Sequence, residues 1–258
     1  MALLRPSHVR TRTGSTIGVQ EAGAGDRVVF AIGGMSVRSF AESAMRPVLE
    51  DAADNGARCV LMDIAGSGAS TSGAPVTMDT WLADVEEVFE QRVAAPATWT
   101  GASLGAWLML LAHRRDPRRF LSMCALAPAL DWDQQYVGPR LADKRLGVVN
   151  GTVVNADGTA LASRELLVSM AAHHVLRAPF ALAAPLHVIA GMRDEIAPAA
   201  GARRFIENAA GAACTGEFLP EGDHGVAKLD PPLAMLRYQA WLRAALSAPS
   251  PARPGSAR

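Results

Sequence analysis

Cysteine is scarce in this chain, with three residues among 258. Cys59, Cys124 and Cys214 each sit in an apolar run that reads as a strand, where a small thiol is ordinary core material. An odd and sparse count argues against a disulfide framework and suits a reducing compartment. No metal-ligand spacing emerges either, since the adjacent His173 and His174 would diverge on a helix. Charge of one sign is also lacking: Lys+Arg and Asp+Glu each number 25, and no basic or acidic block breaks the balance. Nucleic acid and anionic membrane surfaces are therefore not expected partners, because both need a concentrated positive field. No apolar run reaches the ~18 residues of a membrane span. Residues 1–12 carry arginines but no apolar stretch of a secretory signal. The expectation is a soluble, cytoplasmic protein.

Hydrophobic residues, by contrast, make up 50% of the chain, enough for a large core, and the length suits one α/β unit carrying an insertion. An opening hairpin is expected over 8–13 and 17–21. Apolar strands follow at 27–32, 58–64, 97–100, 121–127, 186–190 and 215–219. Helical stretches fall between them at 40–54, 78–92, 106–115, 199–209 and 232–246. Thr77 is the expected N-cap of the second helix, with Asp79 in its first turn. Strands apolar on both faces that alternate with helices imply an α/β fold, a mainly parallel sheet flanked by helices. The rhythm breaks at Asp131. Residues 131–184 look irregular apart from a hairpin signal at Asn155-Ala156-Asp157-Gly158 and a helix over 163–176. They read as a small cap inserted into a core of residues 1–130 and 185–247. The tail, 248–258, is rich in Pro, Ser and Arg and is expected to be disordered.

The motif Gly101-Ala102-Ser103-Leu104-Gly105 stands between the strand at 97–100 and the helix at 106–115. A serine on so tight a turn is held in a strained backbone conformation that lifts its hydroxyl above the sheet, toward the N-terminus of the following helix. A hydroxyl needs a base to take its proton, and the base needs an acid to fix its tautomer. In a sheet of this kind the order is serine, acid, histidine, each just beyond the carboxyl end of a strand. Asp194 follows the strand at 186–190, and His224 follows the strand at 215–219. Glu195 is the rival acid. His8, His113 and His187 fall in a hairpin, a helix and a strand, where structural roles are expected. His173 and His174 fit a solvated helix face. Two backbone N–H groups are needed to hold an oxyanion: Leu104, after the nucleophile, and Met35, in the glycine loop Gly33-Gly34-Met35. Gly34 and Met170 are the expected substrate contacts, Met170 with Leu166 and Leu167 as a wall of the acyl pocket. The phosphate-loop spacings are missing after Gly33-Gly34, and no cofactor or metal is expected.

The segments 101–110, 63–70 and 191–198 make the chain resemble the α/β-hydrolase superfamily across almost its whole length. Within it they resemble a small branch that includes the mitochondrial depalmitoylating thioesterases, which also hydrolyse acyl glucuronides. The resemblance implies Ser103 as nucleophile, Asp194 as acid, His224 as base, and Met35 and Leu104 as oxyanion donors. The chain departs from the family in opening its oxyanion loop as Gly33-Gly34-Met35-Ser36, and in a hairpin of its own around 151–159. The expected activity is a cofactor-independent serine hydrolase that cleaves a small-molecule acyl ester or thioester through an acyl-enzyme. C–C bond or lactone hydrolysis by the same triad, and a non-catalytic ligand-binding role, are the alternatives.

Overall fold

A computed structural model of the chain describes residues 3–35, 45–224 and 233–248. Along residues 27–32, the side chains of Val28, Phe30 and Ile32 lie in one buried apolar cluster, and those of Val29 and Ala31 in another. Successive residues of a strand face opposite ways, so this strand divides two cores. The expected double-sided cover is present.

In chain order the strands are β1 (Arg5–Arg10), β2 (Thr16–Ala22), β3 (Arg27–Ile32), β4 (Ala57–Met62), β5 (Ala97–Ala102), β6 (Phe120–Leu126), β7 (Gly147–Val149), β8 (Thr152–Val154), β9 (Ala160–Ser163), β10 (Phe180–Leu182), β11 (Leu186–Gly191), β12 (Ala209–Gly211) and β13 (Cys214–Leu219). The helices are α1 (Met45–Asp54), α2 (Met78–Arg92), α3 (Leu104–Arg115), α4 (Gly138–Ala142), α5 (Arg164–Ala171), α6 (Ala199–Asn208) and α7 (Leu233–Ser247). The main sheet runs β1-β2-β4-β3-β5-β6-β11-β13. The β1–β2 and β2–β4 pairs are antiparallel and the remaining pairs parallel.

Buried side chains of α2, α3 and α6 join the larger core, which holds Trp81, Trp99 and Trp107. The other face is covered by α1 and α7. The start of α2 follows from its first residues: the Thr77 hydroxyl accepts from the Thr80 N–H at 3.1 Å, and Thr77 N–H donates to the Thr80 hydroxyl at 2.9 Å. Such reciprocal capping satisfies donors that the helix itself cannot.

The stretch between β6 and β11 is more regular than its sequence suggests. A π-helical turn, Asp133–Val137, leads into α4, and β7, β8 and β9 form an antiparallel sheet of their own. The helix expected to 176 stops at Ala171. Beyond it the buried carboxylate of Asp131 accepts the N–H groups of Val175 and Leu176 at 2.8 and 3.2 Å, which fixes a turn where local propensity favoured more helix. The expected disordered tail lies outside the described residues from 249 onward.

Candidate active site

Backbone conformation defines the centre of the site. Ser103 has φ 54° and ψ −122°, between the end of β5 and the first residue of α3. A side chain at Gly101 would place its Cβ 2.5 Å from the Ala106 Cα, and one at Gly105 would run into the Ile32 carbonyl oxygen. Both glycines are thus required for strand, serine and helix to approach this closely. The turn is tied down on both sides of the serine: Ser103 N–H donates to the Leu126 carbonyl at 2.9 Å, and Ala129 N–H donates to the Ser103 carbonyl at 3.1 Å.

The structure brings Ser103, His224 and Asp194 into one line. Ser103 Oγ lies 3.0 Å from His224 Nε2, and His224 Nδ1 lies 2.8 Å from Asp194 Oδ2. An ionised carboxylate only accepts hydrogen bonds, so in the neutral imidazole the proton sits on Nδ1. The Nε2 lone pair then faces the serine hydroxyl. The second oxygen of Asp194 accepts the N–H groups of Ile196 and Ala197 at 2.9 and 2.7 Å, and its side chain is fully buried. Three donors therefore hold this carboxylate in place. Glu195, the rival acid, points elsewhere: its side chain is 83% exposed and lies 3.7 Å from the Arg140 guanidinium. Arg140 also donates to the Glu195 carbonyl at 2.9 Å and stacks on Tyr136, 4.0 Å from the ring centroid. That clasp joins α4 and the π turn to the loop carrying Asp194, and no local sequence signal announced it.

The loop after β3 runs against the serine. A Cβ on Gly34 would come within 2.7 Å of the Ser103 Cβ, so only glycine fits there. Met35, the next residue, is partly exposed, and Ser36 lies outside the described residues. Leu104 opens α3, where the first-turn N–H groups have no partner within the helix. The three cysteine thiols are not activated. Burial pushes the Cys59 thiol up to about 12 and that of Cys214 to about 11, and Cys124 is raised well above its usual range by the same cause.

Several expectations need correction. Met170 does not present a wall to an open pocket: it is fully buried in the larger core, because α5 turns this side chain inward. Met170→Ala is accordingly expected to destabilise the fold by about 2–5 kcal/mol, with relative rates on short and long acyl chains unchanged. Urea denaturation alongside rate ratios on the two substrates checks this. His173 and His174 do not lie on a solvated helix face. They follow the end of α5, with His173 Nε2 3.0 Å from Asp79 and His174 Nε2 2.8 Å from Asp133. The Trp107 indole N–H donates to the His173 carbonyl at 3.1 Å. His113 is buried in α3, and burial lowers its pKa.

With the site assembled, comparison with known proteins is informative. Residues 26–157, just over half the chain, match the family model described as serine aminopeptidase, S33. The chain belongs to this family. Its fold is that of the α/β-hydrolases. The mouse palmitoyl-protein thioesterase ABHD10, a mitochondrial protein, is 26% identical over 146 residues, which cover 54% of this chain and 49% of that protein. The chain thus spans about half the length of the curated relatives it matches. Among solved structures, the mouse alpha/beta hydrolase domain-containing protein 10 superposes with a TM-score of 0.75 at 18% identity, over 93% of this chain and 99% of that one. Est1E from Butyrivibrio proteoclasticus gives 0.73 at 13% identity, over 94% and 99%. At these identities the superpositions speak for the fold alone. The family relationship also corrects the expectation of a cytoplasmic protein, because the curated relatives, from mouse, orangutan and human, are mitochondrial proteins. Balanced charge and few cysteines carry no address, so composition had no means of separating the two compartments. Among the described residues no helix is long and apolar enough to cross a membrane.

Proposed function

We propose that this member of the hydrolase family cleaves carboxylic esters or thioesters through an acyl-enzyme on Ser103. One observation carries the reading: the line of hydrogen bonds from Ser103 Oγ through His224 to Asp194, with its three members beyond the carboxyl ends of β5, β11 and β13. His224 Nε2 takes the hydroxyl proton as Ser103 Oγ attacks the acyl carbonyl. The imidazolium that forms is stabilised by the Asp194 carboxylate. Negative charge on the carbonyl oxygen is met by the backbone N–H groups of Leu104 and Met35. The alcohol or thiol leaves with the proton from His224. Water, activated by the same imidazole, then attacks the ester carbonyl on Ser103 and releases the acid.

Residues 131–184 act in this reading as a cap that shapes the acyl pocket, with Gly34 giving the substrate close access to the serine. The name of the curated relatives favours a long-chain thioester. Est1E has also been solved with ferulic acid, a carboxylic acid, which is the kind of product that cleavage of a carboxylic ester would release. Hydrolysis rates across p-nitrophenyl esters and acyl-CoA thioesters of graded chain length test the proposal. The expected result is turnover on both leaving groups with one shared chain-length optimum, since a single acyl pocket serves both. Absence of turnover on every member of both series contradicts it.

A further inference from the structure

A cavity away from Ser103 is present among the described residues. It has a volume of about 550 Å³ and lies between the C-terminal half of α3 and the segment from Ala171 to Ala183. That end of α3 is roughly 15 Å from Ser103 at ~1.5 Å of rise per residue. The volume falls in the range of small-molecule sites. Its wall is lopsided in charge: Arg114 and Arg177 contribute to it, and no acidic side chain does.

Arg114 and Arg177 are both exposed, and neither forms an ion pair among the described residues. Other arginines are paired, as Arg58 and Arg92 are with Glu21. Two unpaired guanidiniums in one wall leave a positive field that no ion pair among the described residues answers. Two imidazoles lie in the same wall. Ala183 N–H donates to His113 Nε2 at 3.2 Å, so the ring proton sits on Nδ1, a buried donor without a partner among the described residues. His174 is held through Nε2 by Asp133, and its Nδ1 is likewise buried and unpartnered. Unsatisfied buried polar atoms are uncommon and costly. The wall also has an apolar part, with Phe180 and Leu182.

We propose that this cavity is a second binding site, separate from the Ser103 constellation, for an organic carboxylate with an apolar body. The carboxylate sits between the guanidiniums of Arg114 and Arg177, whose planar forks match its geometry, and the body rests against Phe180 and Leu182. The proposal does not depend on the catalytic reading.

Octanoate is the probe, and the imidazole carbon-bound proton signals of His113 and His174 are the reporters in the full chain. Saturable shifts of both signals are expected, with the apparent Kd weakened at least tenfold in the Arg114→Ala/Arg177→Ala double variant. Both arginines are exposed, so that variant should fold, and an unchanged thermal melt verifies it. Octanol lacks the charge and inorganic phosphate lacks the apolar body, so each should bind at least tenfold more weakly than octanoate. The proposal is overturned if only the His224 signal moves, if the double variant binds octanoate as the wild type does, or if octanol or phosphate matches octanoate.

Discussion

Ser103→Ala is expected to lower kcat on a p-nitrophenyl ester by on the order of 10⁴-fold or more, while the thermal melt stays close to that of the wild type. The hydroxyl is the atom that His224 Nε2 faces at 3.0 Å, and no thiol nearby can replace it, because burial holds all three cysteines protonated. Alanine tolerates the turn about as well as serine does, since both carry one Cβ into the same positive φ. The loss should therefore appear in chemistry rather than in folding. A fall of less than tenfold in a well-folded variant would move the nucleophile to another residue.

The second large effect separates two neighbouring carboxylates. Asp194→Asn is expected to lower kcat by roughly 10³- to 10⁴-fold, and Glu195→Gln to leave it within about threefold, as a surface change does. Only Asp194 reaches His224, at 2.8 Å. An amide there presents either an oxygen or an N–H to Nδ1, and the N–H orientation places the imidazole proton on Nε2, where it can no longer accept from Ser103. Glu195 lies at the surface beside Arg140, so its loss removes a weak exposed pair. Steady-state kinetics on both variants, with a melt of each, distinguishes the roles. Comparable losses in both would mean that the loop itself had shifted.

What could be read from the chain depended on how local its causes were. The strand at 27–32 and the helix at 78–92 appear with the bounds expected of them, the first because its residues are apolar on both faces, the second because Thr77 caps it. The placement of Ser103 at the strand-to-helix turn was legible because two glycines and a serine at fixed spacing answer a steric demand within six residues. The mainly parallel sheet followed from the same alternation of strand and helix. The turn at 172–176 was not legible. Its cause is Asp131, more than forty positions away, and a helix-forming sequence gives no warning that a distant carboxylate will claim two of its N–H groups. Met170 shows a related limit. Helical spacing identifies an apolar face, and the same spacing serves a pocket wall and a core contact. Only the fold decides which. The clasp of Arg140 on Tyr136 and Glu195 joins segments more than fifty residues apart, and arginine is too common in this chain to mark it.

Ser103 is the proposed acyl-accepting nucleophile. The most direct test of this role is a fluorophosphonate reaction read by intact-protein mass and peptide mapping. One adduct per chain is expected, located on Ser103, absent from Ser103→Ala and formed far more slowly in Asp194→Asn. An adduct on a different residue, or none on a folded protein, contradicts it.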